Sequence, residues 1–324
     1  MRAQPVRATF HDFAPEPESF RDCVLAGLSQ RQKSIPCRFL YDERGSELFE
    51  AICETPEYYP TRTETAILSD YAPEIAAAIG PHCQLVEFGS GSSRKVRLLL
   101  SAFDRPSSYV AIDISREALQ QAADDVAALF PKIDVRAVCA DYMAPLELAE
   151  FPEPKEGRRL GFFPGSTIGN LDRSAAIEFL RSCRRVVGAN GGMLVGVDLK
   201  KDPRLLHAAY NDAAGITASF TMNLLTRMNR ELDANFDLAN FIHDASYNPI
   251  EGRVEIFIRS LAEQTVTVAG KRIHFRRGEG IHTEDSCKYS IAEFQSLAIR
   301  AGFAPSRVWT DPARLFSIHL LTPA

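Results

Sequence analysis

The stretch Glu87-Phe88-Gly89-Ser90-Gly91-Ser92-Ser93 decides the fold. The apolar Leu85-Val86 precedes it, so a short strand over 85–88 runs directly into a glycine loop. Glycines there let the backbone pass close to a ligand. A helix is expected over 94–103. The same unit then repeats. A strand is expected over 108–114 with Asp113 near its end, then a helix over 116–130 capped by Ser115. A strand over 135–140 follows, closed by Asp141 and Tyr142. Leu160-Gly161-Phe162-Phe163 reads as a buried fourth strand. Its exit, Gly165-Ser166-Thr167-Ile168-Gly169-Asn170, is a second glycine loop, and Asn170 offers an amide that donates and accepts. A helix over 174–187 and a strand over 193–197 complete the alternation. This rhythm predicts a doubly wound, parallel α/β sheet, whose ligands sit at the strand ends. Two loops imply two small molecules.

Outside this block the pattern changes. Pro5, Pro15 and Pro17 suggest an irregular start, with a short helix over 20–28. Residues 38–49 read as a turn and then a helix, with Ser46 as its N-cap. Pro56-Glu57-Tyr58-Tyr59-Pro60-Thr61 reads as extended, because proline restricts the residue before it. A helix is expected over 64–79. Residues 203–232 look helical. Short alternating bursts over 252–276 predict antiparallel hairpins. A helix over 291–301 and strands at 308–309 and 316–321 end the chain. The expected organisation is an α/β domain over 62–200 plus 288–324, with a second, α+β domain from 1–61 plus 201–287.

The chain has 324 residues, 45% of them hydrophobic and 24% charged, which is ample for a packed core. The net charge of −5 disfavours a nucleic-acid or anionic-membrane partner. The basic run Lys271-Arg272-Ile273-His274-Phe275-Arg276-Arg277 reads as a solvated strand or turn. Seven cysteines in no Cys-x-x-Cys pair, behind no signal peptide, point to reduced thiols in the cytoplasm. The seven histidines lack metal-ligand spacing, and no apolar run approaches the roughly 20 residues a membrane helix needs.

Glu87, Asp113 and Asp141 punctuate successive strand ends. A carboxylate at Asp113 can take both hydroxyls of a ribose, and an adenine would lie by Asp141 and Tyr142. The dinucleotide fingerprint Gly-x-Gly-x-x-Gly fails, because Arg94 occupies the third glycine position. The loop and the three acids instead resemble class I methyltransferases that bind S-adenosylmethionine, a ligand with no pyrophosphate.

A longer series of motifs resembles one family within that class. It comprises Phe39-Leu40-Tyr41-Asp42 through Leu48-Phe49, Pro56 to Glu64, the loop at 87–93, and Gly165 to Leu171. Val197 to Asp202, Ala209-Tyr210-Asn211-Asp212, Asn229 to Leu232, and Thr283-Glu284-Asp285-Ser286-Cys287-Lys288 follow in order. The family is the histidine-specific Nα-methyltransferases of ergothioneine biosynthesis, which make hercynine. The resemblance implies a Rossmann-like methyltransferase fold with an inserted substrate domain, S-adenosylmethionine as cofactor and L-histidine as substrate. It assigns the substrate carboxylate to Tyr58, Tyr210 and Asn170, and places Tyr41, Asn170 and Gly165 near the amine. Glu284 and Ser286 would read the imidazole. Gly89, Lys95, Asp113, Asp141 and Tyr142 would hold the cofactor. Tyr41 and Asn170 are the expected catalytic pair, acting by orientation. No metal is implied, and a cytoplasmic monomer is expected.

The chain departs from the family's pattern where a methionine usually lies beside the imidazole. Here the strand reads Arg253-Val254-Glu255-Ile256, so Ile256 would wall the ring slot. Three other readings stand beside histidine methylation. One is N-methylation of another small amino acid or amine. The second, methylation of nucleic acid or protein, is disfavoured by the acidic balance. The third is a silent cofactor-binding subunit.

Overall fold

The apolar runs of the first half become strands, and the glycine loops become their exits. The structure is a computed structural model that describes residues 8–13, 19–91, 93–144, 154 and 156–324; Pro5, Pro15, Pro17 and Ser92 lie outside these. Among the described residues the strands are β1 (Thr9–Asp12), β2 (Gln84–Phe88), β3 (Ser108–Asp113), β4 (Asp134–Cys139), β5 (Arg159–Phe163) and β6 (Gly192–Asp198). Then come β7 (Phe241–Asn248), β8 (Arg253–Ser260), β9 (Gln264–Val268), β10 (Lys271–Phe275), β11 (Gly280–Cys287), β12 (Phe303–Thr310) and β13 (Phe316–Pro323). The α-helices are α1 (Phe20–Leu28), α2 (Glu43–Cys53), α3 (Tyr59–Ile79), α4 (Arg94–Ala102), α5 (Arg116–Leu129), α6 (Arg173–Val187), α7 (Pro203–Tyr210), α8 (Ile216–Glu231) and α9 (Ile291–Arg300).

The chain divides into two compact units. The first comprises the described residues of Met1–Glu16, Arg62–Leu199 and Tyr289–Ala324. Its sheet has the order β1-β4-β3-β2-β5-β6-β13-β12. The strands from β1 to β6 pair in parallel, while β13 is antiparallel to β6 and β12 antiparallel to β13. This is the doubly wound α/β arrangement that the alternating pattern predicts. Strands β2, β5 and β6 are buried along their whole length, as parallel strands covered on both faces must be. Leu85, Leu160, Phe162, Val96, Leu99 and Leu194 belong to one core cluster. Removing a fully buried ring such as Phe162 should destabilise by about 3–5 kcal/mol. Ser290 and Glu293 form a capping box that starts α9.

Several local expectations need correction here. The N-terminus is not wholly irregular: β1 pairs in parallel with β4, so this strand joins the first unit rather than the second. Ser115 occupies the N-cap of α5 but its side chain makes no cap bond; Asp113 instead accepts from the Ser115 N–H at 2.9 Å. The extended reading of 56–61 fails from Tyr59 onward, where α3 already begins. Pro60 lies in the first turn, where a missing N–H is harmless.

The second unit comprises the described residues of Pro17–Thr61 together with Lys200–Lys288. A three-stranded antiparallel sheet, β11-β8-β7, and a hairpin of β9 and β10 form its β part. The hairpins over 252–276 are present, but the sequence reading missed the flanking β7 and β11. Polar residues on β11 obscured its period. The basic run lies on β10, with only Ile273 and Phe275 turned inward. Leu28, Ile35, Phe39, Leu224, Met228, Phe241, Phe275 and Ile281 belong to the core of this unit. Asp42, not Ser46, is the N-cap of α2, accepting from the Gly45 N–H. The helical reading of 203–232 is interrupted between α7 and α8. There Asp212 accepts from the N–H groups of Ile216 and Thr217, restarting the helix.

Candidate active site

In the first unit the polar groups gather at the carboxyl ends of β2, β3, β4 and β5. Gly89 follows β2 with φ +75°, a left-handed conformation suited to glycine, and its N–H donates to Ile112 O at 2.8 Å. A side chain there would meet the Tyr142 ring at 3.6 Å. Tyr142 is itself wedged edge-on against Phe163 and Phe179, with ring centroids 5.8 and 5.9 Å away. Burial raises the pKa of Asp113, while N–H groups of Ser115, Ile114 and Ser90 pull it back. The Ser90 bond ties the glycine loop to the end of β3. Asp141 accepts from the Met143 N–H at 2.8 Å, so its carboxylate shapes its own turn.

Glu87 behaves differently from the other two acids. It is 1% exposed and accepts from the Tyr109 hydroxyl. Burial pushes its pKa up to about 8, despite the Tyr109 bond and the nearby Lys95. It is an internal sheet residue rather than an outward ligand.

The second glycine loop is held from beneath. Glu64, fully buried on α3, pairs with the Lys95 ammonium. Both Glu64 oxygens also accept from the Gly165 N–H, at 3.0 and 2.9 Å. Gly165 has φ +80° and Ser166 φ +56°, two left-handed residues in succession. Ser166 is not glycine, so this conformation is strained. Its Oγ accepts from the Asp198 N–H at 2.9 Å. A Cβ on Gly196 would overlap Glu64 Oε1, so only glycine leaves room for this carboxylate. Asn170 ends the 3-10 turn over Thr167–Asn170 that completes the loop.

In the second unit, aromatic rings and a strand face come together. Tyr41 packs edge-on against Phe49 and Phe220, with centroids 5.5 and 5.3 Å away. Tyr58 meets Tyr210 at 6.2 Å and Phe49 at 6.4 Å. The Tyr58 hydroxyl is held well above its usual pKa, by burial first, then by Tyr210, Cys53, Tyr41 and Glu284. Adjacent Tyr59 points elsewhere: its hydroxyl accepts from Lys201 Nζ at 2.6 Å. Ile256, 3% exposed, pairs across the sheet with Glu284, so their side chains share a face. Tyr210 and Ser286, assigned by resemblance to opposite ends of a substrate, are hydrogen-bonded to each other at 2.8 Å.

Thus Gly89, Asp113 and Tyr142 are gathered in the first unit, as are Lys95 and Gly165. Tyr41, Tyr58, Tyr210, Ile256, Glu284 and Ser286 are gathered in the second. Two buried residues escaped the sequence-derived site: Glu64 and Lys288. Lys288 donates to Tyr210 and Ser286. Its signal was available, since 284, 286 and 288 alternate along one strand face.

The chemistry available is recognition and alignment. Burial raises the thiols of Cys37 and Cys83 to about 12 and also raises those of Cys139 and Cys183, so these are poor nucleophiles at neutral pH. Among the described residues no group of three histidine, cysteine or acidic side chains is placed to hold a metal. No helix among them is long and apolar enough to cross a membrane.

Comparison with known proteins adds a family. The sequence profile described as "Histidine-specific methyltransferase, SAM-dependent" matches residues 20–323. The histidine N-alpha-methyltransferase of Mycolicibacterium smegmatis is 41% identical over 94% of this chain and 94% of its own. Its counterpart from Mycobacterium tuberculosis is 38% identical over 93% and 94%. Ergothioneine biosynthesis protein 1 of Neurospora crassa is 34% identical over 89% of this chain but only 33% of its own length.

Proposed function

The chain belongs to the family of histidine-specific, S-adenosylmethionine-dependent methyltransferases, and from that premise we propose that it trimethylates the α-amine of L-histidine to hercynine. The likeness to the mycobacterial histidine enzymes across nearly the whole chain carries this reading. The likeness to the fungal protein supports a place in ergothioneine biosynthesis.

The first unit's donor set fits S-adenosylmethionine. Asp113 can accept from a ribose diol, Tyr142 can cover a flat base, and Lys95 can meet a carboxylate. Gly89 leaves the backbone open to close approach. When bound, this cofactor supplies a methyl group on a cationic sulfonium. The chain's own residues have a modest chemical task, because an amine needs only a lone pair and correct alignment. By the family resemblance, Asn170 and Tyr41 would orient that lone pair. Tyr58 and Tyr210, with Asn170, would grip the carboxylate through neutral donors. Glu284 would accept from an imidazole N–H, with Ser286 as second polar partner and Ile256 as apolar wall. Analogues lacking either polar group should be rejected, since buried partners would be left unpaired.

A second reading is N-methylation of another amino acid or small amine. Ile256 favours it, since a stiff β-branched side chain replaces the family's usual methionine in the ring slot. Labelled methyl transfer to a panel of amino acids and their amines separates the two. Histidine should be the strongest acceptor, and a stronger acceptor elsewhere in the panel would displace it.

We also assign the enzyme to the cytoplasm, where seven reduced thiols are stable, and expect a monomer. Sedimentation should then give 35.9 kDa, and twice that mass would contradict it.

A further inference from the structure

Lys288 follows the end of β11, and its own N–H donates to Gly252 O at 2.8 Å, so the extended pairing continues through it. Glu284, Ser286 and Lys288 therefore emerge on one face. Lys288 is only 2% exposed. Its ammonium donates to Tyr210 Oη at 2.7 Å and to Ser286 Oγ at 2.8 Å. Those two oxygens are themselves 2.8 Å apart. The three groups form a closed triangle.

The hydrogens in that triangle can be counted. An ammonium has three donors and no acceptor. Both oxygens must receive from it, so their own hydrogens turn away from the lysine. One hydrogen bridges the two oxygens, and the other is aimed at a further acceptor. Donation from a cation makes both hydroxyls stronger donors in turn. The acceptor that best matches such a donor is an anion, because the buried positive charge adds a poorly screened attraction.

We propose that Lys288 is a positioning residue that turns the Tyr210–Ser286 pair into a reader of the amino acid's carboxylate. This rests on the reading above that the acceptor is an amino acid whose carboxylate meets Tyr210. It also gives Ser286 a place at the carboxylate end of the substrate, through Tyr210, rather than at the imidazole alone.

Histidine and histamine differ only in the carboxylate, so their affinities for the full-length enzyme, measured by calorimetry, provide the test. Lys288→Met should weaken histidine about tenfold or more while moving histamine less than about threefold. KM for histidine should rise, with kcat at saturation and S-adenosylmethionine affinity little changed. Lys288→Arg should restore most of the preference. In a Tyr210→Phe background, Lys288→Met should add little, because the coupling has already been removed. If the methionine variant does not stay folded, Lys288→Gln carries the same comparison. A variant that keeps the wild-type histidine-to-histamine ratio overturns the proposal. So does one that weakens histidine, histamine and cofactor alike, which is the signature of a merely structural lysine. A wild-type enzyme indifferent to the carboxylate would overturn the carboxylate reading itself, and this proposal with it, before any variant is made.

Discussion

The ligand-side loops of the first unit and the recognition face of the second hold their polar groups in different ways. In the first, carboxylates grip the main chain: Glu64 takes the Gly165 N–H, Asp113 the Ser115 N–H and Asp141 the Met143 N–H. In the second, side chain meets side chain, as in Lys288 with Tyr210 and Ser286, or Tyr58 against Tyr210. Main-chain anchoring fixes the shape of loops and serves any ligand that fits them. Side-chain nodes discriminate between ligands. Damage to the first unit should therefore appear as lost stability or cofactor affinity, and damage to the second as altered selectivity.

The largest effect should come from Glu64→Ala. It leaves the Lys95 ammonium and the Gly165 N–H without their buried carboxylate. Breaking such a pair should lower unfolding free energy by about 3–5 kcal/mol in urea titrations. Gly196→Ala should act in the same direction by pushing Glu64 aside. An unchanged midpoint in Glu64→Ala would break the main-chain half of the comparison.

Glu284→Ala should leave folding nearly intact and lower kcat/KM for histidine by roughly 2–3 kcal/mol, the effect of deleting a charged hydrogen-bond partner. Phenylalanine, which has no ring N–H to donate, should lose less or gain. Equal losses on both substrates would remove Glu284 from the recognition face.

Asp113→Ala should weaken S-adenosylmethionine by about 1–3 kcal/mol, through loss of charge-assisted bonds to a diol. The preference among amino acids should not move. Calorimetry with the cofactor alone checks the first statement, and competition between histidine and other amino acids checks the second.

The smallest effect is a slope. Glu87 has its pKa raised from 4.5 to about 8 in the fold, so between those values the folded state holds more protons than the unfolded one. Stability from this group is therefore lost as pH rises through that window. Buried His319, lowered from 6.5 to about 4, acts with the opposite sign below 6.5, where stability rises with pH. Between pH 6.5 and 8 the Glu87 contribution should stand out, and Glu87→Gln should flatten it in thermal melts.

How much of this was legible in the sequence follows the same division. Strand ends in the first unit advertise themselves, because an apolar run stops at Gly89, Asp113 or Gly165 and the period restarts as a helix. Glu64 was hidden inside a helix whose pattern gave no reason for a buried acid; its partners Lys95 and Gly165 and the room left by Gly196, all distant in sequence, explain it. In the second unit the aromatic residues Tyr41, Tyr58 and Tyr210 lie far apart in sequence, and nothing local says that they meet. β11 was missed because Glu284, Ser286 and Lys288 put polar groups on a face that burial would ordinarily make apolar. Resemblance to a family supplied Tyr41, Tyr58, Tyr210, Glu284 and Ser286, whereas Lys288, the next position in the 284 and 286 alternation, was passed over.

Mass spectrometry of L-histidine incubated with the enzyme and S-adenosylmethionine tests the central claim most directly. We expect the histidine mass to climb in successive single-methyl steps, ending at the trimethylated species, with fragmentation placing every methyl on the α-nitrogen. No mass gain on histidine, or methyl groups on a ring nitrogen, would contradict it.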